Sequence, residues 1–270
     1  MTGAEGGKLP GVELNGAPAT LDQIRALALT NYGHFTSMLV EANRVRGLSL
    51  HMERLARDCR RLFGVELDTD RVRRYVRQAV AGGVQPIVAR VTVYDPAINL
   101  GTVGSDAHPS ILVTTRPAAR AQPEPWRLTA VSYRRDEPAV KHVGLFGALM
   151  HRRAAQRAGF DDVLFVNPDG TISELATSNI GFVRAGEIVW PRSEFLVGVT
   201  MMLLRQASDG PVATEPLTLA DLSHMDAAFA TNAATGVRPV RSVDGTEWPV
   251  DHPVLGELRA RYAAIPPECL

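Results

Sequence analysis

A single lysine has the clearest chemical potential in this sequence. Of the 29 Lys and Arg residues, only Lys8 and Lys141 are lysines, and Lys8 lies in a glycine-rich N-terminal tail. An arginine guanidinium stays protonated, whereas burial can lower the pKa of a lysine amine until it acts as a nucleophile. An amine of this kind forms a Schiff base with an aldehyde. The alternative is a lysine that serves only the protein surface.

Other residues could supply what an aldehyde cofactor such as pyridoxal phosphate would need. Its pyridine nitrogen must stay protonated, which requires a nearby carboxylate, and Glu174 ends a predicted strand. Its phosphate requires amide donors and a cation. Gly198, Val199 and Thr200 open a predicted helix with free N–H groups, and Arg54 is a candidate cation.

Seven segments between about residues 33 and 245 carry motifs, at 51–55, 141–142, 158–162, 167–170, 173–180, 195–200 and 231–240. In their order and spacing, these segments resemble the signature of the class IV aminotransferases. These are the fold-type IV pyridoxal phosphate enzymes, which include branched-chain and D-amino acid aminotransferases and aminodeoxychorismate lyase.

The resemblance implies a role for several residues. Lys141 is then the Schiff-base lysine and proton carrier, Glu174 pairs with the pyridine nitrogen, and Arg54 binds the phosphate. Asn179 is expected to support the turn that follows Glu174. The remaining implied cofactor-binding residues are Gly198, Val199, Thr200, Asn232 and Ala233.

Two residues are candidates for contact with the substrate. Arg90 lies in an apolar predicted strand and could bind a substrate carboxylate in a bidentate pair, or form a structural ion pair. Thr36 lies in the segment that resembles the family's entry strand, which here lacks the usual acidic residue. Five positions after Lys141, Phe146 replaces a tyrosine that many family aminotransferases place near the cofactor. These departures leave the substrate and its stereochemistry unassigned.

The leading hypothesis is a pyridoxal phosphate-dependent aminotransferase that moves an amino group between an amino acid or amine and a keto acid. Lys141 with His142, Thr36, and Asn232 with Ala233 resemble the lyase branch more closely than the branched-chain branch. Elimination that gives 4-aminobenzoate and pyruvate is therefore the alternative. A non-catalytic cofactor- or partner-binding protein is the third hypothesis. The resemblance also implies a homodimer.

The amino-acid composition limits the classes of protein and of partner that fit this chain. A chain of 270 residues with 45% hydrophobic and 21% charged residues predicts one large or two modest folded domains. The 29 basic and 29 acidic residues balance, which argues against nucleic-acid and anionic-membrane partners. Cys59 and Cys269 cannot form a disulfide framework or a four-ligand zinc site, so no metal is predicted and a reducing cytoplasm fits. The sequence contains no apolar run of membrane-spanning length and no signal-peptide pattern.

Periodicity predicts two mixed α+β domains at residues 1–118 and 127–270, joined by a linker rich in Pro and Ala at 119–126. The family resemblance implies the D-amino acid aminotransferase-like type, with the cofactor between the domains. Ser49 is expected to cap a helix that reaches Phe63. The other principal expectations from the sequence pattern are strands at 87–94, 111–115 and 180–184, helices at 70–81, 145–157 and 199–207, and a turn at 167–170. The family resemblance implies a phosphate-side loop at 231–240.

Overall fold

The computed structural model describes residues 11–118, 123–208, 210 and 212–270. The chain forms two compact units, one made of Met1–Ala118, Val140–Gly144 and Pro267–Leu270, and the other of Ala119–Ala139 and Leu145–Pro266. Two short segments that the sequence assigned to the second domain thus belong to the first unit. Part of the predicted linker, residues 119–122, lies outside the described residues, as does the tail that contains Lys8.

Helices and strands are mixed along the chain, and the predicted α+β class is confirmed. The strands are β1 Val12–Leu14, β2 Ala17–Pro18, β3 His34–Val40, β4 Arg44–Val45, β5 Ile87–Tyr94, β6 Ser110–Pro117, β7 Trp126–Ser132, β8 Asp162–Val166, β9 Ile172–Leu175, β10 Asn179–Arg184, β11 Glu187–Pro191, β12 Val212–Glu215, β13 Ala227–Asn232, β14 Gly236–Val243, β15 Thr246–Glu247 and β16 Glu268–Cys269. The helices are α1 Leu21–Thr30, α2 Leu48–Phe63, α3 Thr69–Val80, α4 Phe146–Arg157, α5 Val199–Gln206 and α6 Pro253–Ala264, with a 3-10 helix at Leu219–His224.

The first unit contains a five-stranded sheet in the order β2-β1-β6-β5-β3. All of its pairings are antiparallel, and β3 pairs with β5 from His34 opposite Val93 to Val40 opposite Ile87. Helices α2 and α3 contribute buried residues to the same apolar core as these strands, because their apolar side chains recur every three to four positions. The helix spacing predicted from the sequence is therefore confirmed.

The start of α2 differs from the prediction. The helix begins at Leu48, and its N-cap is Gly47 in a left-handed conformation with φ of 69°. Ser49 donates from its backbone N–H and its hydroxyl to the Glu268 carboxylate, so it does not cap the helix. Glu268, which is 219 positions away in the sequence, thus binds the Ser49 side chain that local sequence rules assign to a helix cap.

The second unit contains a nine-stranded mixed sheet in the order β12-β11-β10-β13-β14-β7-β8-β9, with β15 paired to β14. Strand β9 pairs with both β8 and β10, so the strands from β10 to β9 in this order form a closed ring of pairings. The predicted turn at 167–170 is confirmed by the Gly170 N–H, which donates to the Asn167 carbonyl at 2.9 Å. The β9–β10 pairing brings Glu174 and Asn179 directly opposite each other.

The expected loop at 231–240 is wrong for most of its length. Strand β13 ends at Asn232, and β14 begins at Gly236, so only three residues connect the two strands. Pro239 lies inside β14 opposite Phe229, and proline is usually a signal against a central strand. Within the described residues, no helix combines the length and apolar character that crossing a membrane requires.

Candidate functional site

The backbone of Lys141 is fixed on both sides within the first unit. The Phe35 N–H donates to the Lys141 carbonyl at 2.8 Å, and the Lys141 N–H donates to Asp58 Oδ2 at 3.0 Å. The Val143 N–H donates to the Gly33 carbonyl at 2.9 Å, so this segment runs along the start of β3. The Lys141 amine lies 4.9 Å from the centre of the Phe35 ring. A nucleophilic amine on an anchored backbone is suited to covalent catalysis.

Arg54 lies on the buried face of α2 and is held by two polar side chains. Its Nη2 donates to the Thr36 hydroxyl and lies 3.4 Å from His51 Nδ1. Burial lowers the pKa of Arg54 to about 10, while the nearby Asp58 carboxylate opposes that shift, so the guanidinium stays positive at neutral pH. Arg54 Nε is buried and has no hydrogen-bond partner among the described residues. This donor is available to an anion such as phosphate.

The two residues expected to contact substrate have other partners. Thr36 is fully buried, and its hydroxyl lies 2.6 Å from His51 Nδ1 in addition to its bond with Arg54. The Arg90 guanidinium stacks on the Phe35 ring at 3.6 Å, and its Nε donates to the Thr92 hydroxyl at 3.4 Å. The structure therefore places Thr36 beside Arg54, which is expected to bind the phosphate, and Arg90 against the face of the Phe35 ring.

Two histidines of this unit are buried and uncharged at neutral pH. Burial lowers the pKa of His34 to about 4, although the Asp58 carboxylate opposes this effect. Burial also lowers the pKa of His51 well below its usual value, and the positive charges of Arg54 and Lys141 add to the shift. A neutral imidazole at position 51 can accept a hydrogen bond from Thr36 or Arg54 without repelling the guanidinium.

Glu174 is a buried carboxylate in the second unit. Its Oε1 accepts from Arg135 Nη1 at 3.2 Å and from the Leu196 N–H at 3.3 Å. Both charged side chains of this ion pair are only 9% exposed. The pair therefore keeps an acidic acceptor in a place with little water, which suits the protonated nitrogen of an aromatic ring.

Asn179 connects Glu174 with the start of α5. Its Nδ2 donates to the Leu196 carbonyl at 2.7 Å, and its Oδ1 accepts from the Gly198 N–H at 2.9 Å. A Cβ atom at Gly198 would lie 2.3 Å from Asn179 Oδ1, so only glycine permits this approach. The supporting role expected for Asn179 thus extends to the loop before the helix.

The first turn of α5 offers free donors. Gly198 is the N-cap and no side chain caps the helix, which leaves its first N–H groups for other partners. Thr200 is buried, and its hydroxyl has no hydrogen-bond partner in the part of the chain that the structure describes. Val199 and Thr200 can therefore hold an anion through backbone and hydroxyl donors.

The side chain of Asn232 shapes the short turn between β13 and β14. Its Oδ1 accepts from the N–H groups of Ala234 and Thr235, both at 3.0 Å, and its Nδ2 donates to the Ser178 hydroxyl at 2.9 Å. These bonds occupy the amide in a structural role. Ala233 can meet a cofactor only through its backbone and methyl group.

Sequence reasoning missed Asp58 and Arg135. A signal for Asp58 was present, because His51, Arg54 and Asp58 follow helical spacing and place three polar groups on the buried face of α2. Arg135 follows β7 in an irregular segment, and no local pattern indicates that it pairs with a carboxylate 39 residues away. The first unit thus gathers Lys141 and Arg54, and the second gathers Glu174, Asn179 and the α5 turn.

Comparisons with known proteins identify the family and the fold of this chain. The amino-transferase class IV family model matches residues 33–243. A protein of Synechocystis sp. named "Probable branched-chain-amino-acid aminotransferase" is 29% identical over 116 residues, which cover 41% of this chain and only 38% of the relative.

Two solved structures share the fold. The branched-chain aminotransferase of Thermoproteus uzoniensis with norvaline has a TM-score of 0.82 at 23% identity, over 95% of this chain and 94% of that chain. The 4-amino-4-deoxychorismate lyase of Pseudomonas aeruginosa has a TM-score of 0.78 at 24% identity, over 93% of this chain and 97% of that chain. With the family match spanning most of its length, this chain belongs to the class IV aminotransferase family.

Proposed function

We propose that the protein is a pyridoxal phosphate-dependent aminotransferase that moves an amino group between an amino acid or amine and a keto acid. The observation that carries the proposal is the placement of Lys141. It is the only lysine among the described residues, and its carbonyl and N–H are both held by the first unit. Family membership and the name of the Synechocystis relative support the same activity.

The unpartnered buried donors fit the phosphate of this cofactor. Arg54 Nε and the Thr200 hydroxyl are both buried without a hydrogen-bond partner among the described residues. Such groups are costly to bury unless a ligand satisfies them. We assign Arg54, Val199 and Thr200 to the phosphate, with the Ala233 backbone as a further contact next to the turn that Asn232 holds.

The chain supplies the acid–base groups of the reaction. When bound, pyridoxal phosphate contributes an electrophilic aldehyde carbon and an electron-withdrawing ring. Glu174 would accept a hydrogen bond from the pyridine nitrogen, and Arg135 and the Leu196 N–H hold its carboxylate in place. Lys141 Nζ would hold the cofactor, and as a free amine it would accept the proton from the α-carbon of the amino donor.

The test starts from purified protein incubated with pyridoxal phosphate. Borohydride reduction and peptide mapping should place the adduct on Lys141, and amino donors should convert the visible absorbance to that of the pyridoxamine form. Lys141→Arg keeps the positive charge but cannot form the adduct, so it should lose both signals. Absence of an adduct on Lys141 would refute the proposal. An adduct without conversion by any donor in a broad panel would favour a non-catalytic homologue.

Lyase activity on aminodeoxychorismate is the second candidate. The fold shared with the Pseudomonas aeruginosa lyase and the resemblance of Lys141 with His142 to that branch support it. The two reactions differ in their requirement for a second substrate. A lyase releases pyruvate and 4-aminobenzoate without a keto acid, so pyruvate measured with and without an added keto acid separates them.

A homodimer in a reducing cytoplasm completes the proposal. Helix α4 exposes Phe146, Leu149 and Met150, which are 78%, 50% and 48% exposed and follow helical spacing. Both cysteines are free, which suits a reducing compartment. Light scattering coupled to size-exclusion chromatography measures the oligomeric state, and Leu149→Glu should weaken a dimer that uses this face. A monomeric native protein would contradict it.

A further inference from the structure

We propose that Asp58 is a positioning residue that fixes the backbone of Lys141 for its reaction. The inference rests on the proposed function of Lys141 and adds a residue that neither the family motifs nor the sequence analysis assigned. Asp58 lies in α2, 83 positions before its partner in the chain. Its effect on the reaction would pass through the lysine, because its own oxygens are bonded to protein groups.

The carboxylate is completely buried, with an exposure of 0%. Asp58 Oδ2 accepts from the Lys141 N–H at 3.0 Å. Asp58 Oδ1 accepts from Arg57 Nε at 3.0 Å and from Arg57 Nη2 at 2.7 Å. Each oxygen therefore serves a different partner, and the Arg57 guanidinium balances the buried charge.

The position of Asp58 on α2 makes it a stiff anchor. Its neighbours on the helix include Leu55 and Cys59, which are fully buried in the core of the first unit. The Lys141 carbonyl is held by Phe35 on β3 at the same time. Because two separate elements hold the two sides of one residue, the Lys141 Cα is restrained and the amine moves only by side-chain rotation.

A charge at position 58 also acts on neighbouring groups. The Asp58 carboxylate opposes the burial effect on the pKa of Arg54 and of His34, so it acts on the arginine that is proposed to bind phosphate. A neutral acceptor at position 58 could accept the hydrogen bond from the Lys141 backbone N–H but would not balance the positive charge of the neighbouring arginines. The two contributions can be separated by substitution.

The experiment compares Asp58→Ala, Asp58→Asn and Asp95→Asn with the native chain. Asp95 is a matched control, because it is a buried carboxylate of the same unit that accepts from the backbone N–H groups of Ala97 and His108. Amide hydrogen exchange reports the Lys141 N–H directly in protein without cofactor. Amine labelling by mass spectrometry then compares Lys141 with Lys8, which serves as an internal reference in every sample.

We expect exchange at the Lys141 amide to accelerate about tenfold or more in Asp58→Ala, with a changed ratio of Lys141 to Lys8 labelling. The rate of adduct formation with pyridoxal phosphate should fall by up to about 100-fold. Asp58→Asn should change exchange, labelling and adduct formation less than Asp58→Ala does, because its amide oxygen can accept the same hydrogen bond. Asp95→Asn should leave the Lys141 signals at native values.

Three results would overturn the inference. The first is native exchange at Lys141 in Asp58→Ala, and the second is faster exchange with unchanged adduct formation. A parallel loss in Asp95→Asn would also contradict it, because the effect would then be general destabilisation. Failure of the native protein to form any adduct on Lys141 would instead refute the proposed function, so the two failures are distinguishable.

Discussion

Glu174 and Asn179 hold the same residue, Leu196, from two sides. Glu174 Oε1 accepts from the Leu196 N–H at 3.3 Å, and Asn179 Nδ2 donates to the Leu196 carbonyl at 2.7 Å. The two residues face each other across the β9–β10 pair. The carboxylate proposed for the pyridine nitrogen and the helix start proposed for the phosphate are therefore linked through one loop.

Asn179→Ala should weaken both this loop and cofactor binding. The substitution removes two hydrogen bonds, to Leu196 and Gly198, and should cost about 2 kcal/mol of unfolding free energy. Chemical denaturation and titration with pyridoxal phosphate measure the two effects. The control is Ser193→Ala, which removes one bond to the Ile172 carbonyl at 2.8 Å. Equal loss of cofactor affinity in both variants would argue against the assigned role.

Gly198→Ala should disturb the same contact sterically. Its new Cβ would lie 2.3 Å from Asn179 Oδ1, so the loop or the amide must move, at a cost of about 1 to 3 kcal/mol. Gly256→Ala in α6 is the matched control, since among the described residues no heavy atom beyond its own helix backbone would lie within 4 Å of the added methyl group. That control should be neutral or stabilising by up to about 1 kcal/mol. Thermal denaturation of both variants measures the difference, and equal effects would contradict the steric argument.

Removal of Arg135 should be far more damaging than removal of its neighbour. Arg135→Met leaves the buried Glu174 carboxylate without its guanidinium, with an expected loss of about 3 to 5 kcal/mol. Arg134 pairs with Glu194 at 3.2 Å, but these side chains are 57% and 68% exposed. Arg134→Met should therefore cost less than about 1 kcal/mol.

A double substitution tests whether the Arg135 effect passes through Glu174. In a Glu174→Gln background, Arg135→Met no longer leaves a buried carboxylate without its guanidinium. The loss of unfolding free energy measured by urea denaturation should therefore be smaller. An unchanged cost in that background would show that Arg135 stabilises the protein through other contacts.

Acidification should destabilise the first unit through His34. The pKa of His34 is lowered to about 4 from about 6.5, so the unfolded chain binds the proton first as the pH falls. Stability is therefore complete above about pH 6.5 and declines toward pH 4, by about 2 kcal/mol between pH 7 and pH 5. His34→Gln should flatten this dependence in denaturation measured at both pH values. The exposed His224→Gln should leave it unchanged, and a native-like slope in His34→Gln would contradict the assignment.

The sequence-based predictions succeeded where the determining contacts are local. The helical periodicity of α2 and α3 and the turn at 167–170 arise from residues a few positions apart, and all three are confirmed. Strand β14 was missed because Gly236 and Pro239 are typical of turns. Its partners β13 and β7 supply the pairing that overrides this local preference.

The candidate site shows the same division. The motif residues Lys141, Arg54 and Glu174 were named from their types and spacing, and their roles stay predictions. Their supporting partners are distant in sequence, since the Lys141 bond to Asp58 spans 83 positions and the Arg54 bond to Thr36 spans 18. No periodic pattern encodes such a pairing. Tertiary structure was needed to show that Thr36 is bonded to Arg54 and His51.

The composition of the first unit affects how the chain can fold during synthesis. Segments 140–144 and 267–270 belong to this unit, although most of the second unit is translated between them. Strand β16 pairs with β4, and the Leu270 N–H donates to the Asn43 carbonyl at 3.1 Å. A nascent chain that ends near residue 118 therefore lacks the segment carrying Lys141 and the partner of β4. The first unit can make these contacts only after residues 140–144 and 267–270 have been synthesised, so a chain truncated near residue 118 cannot form the complete unit.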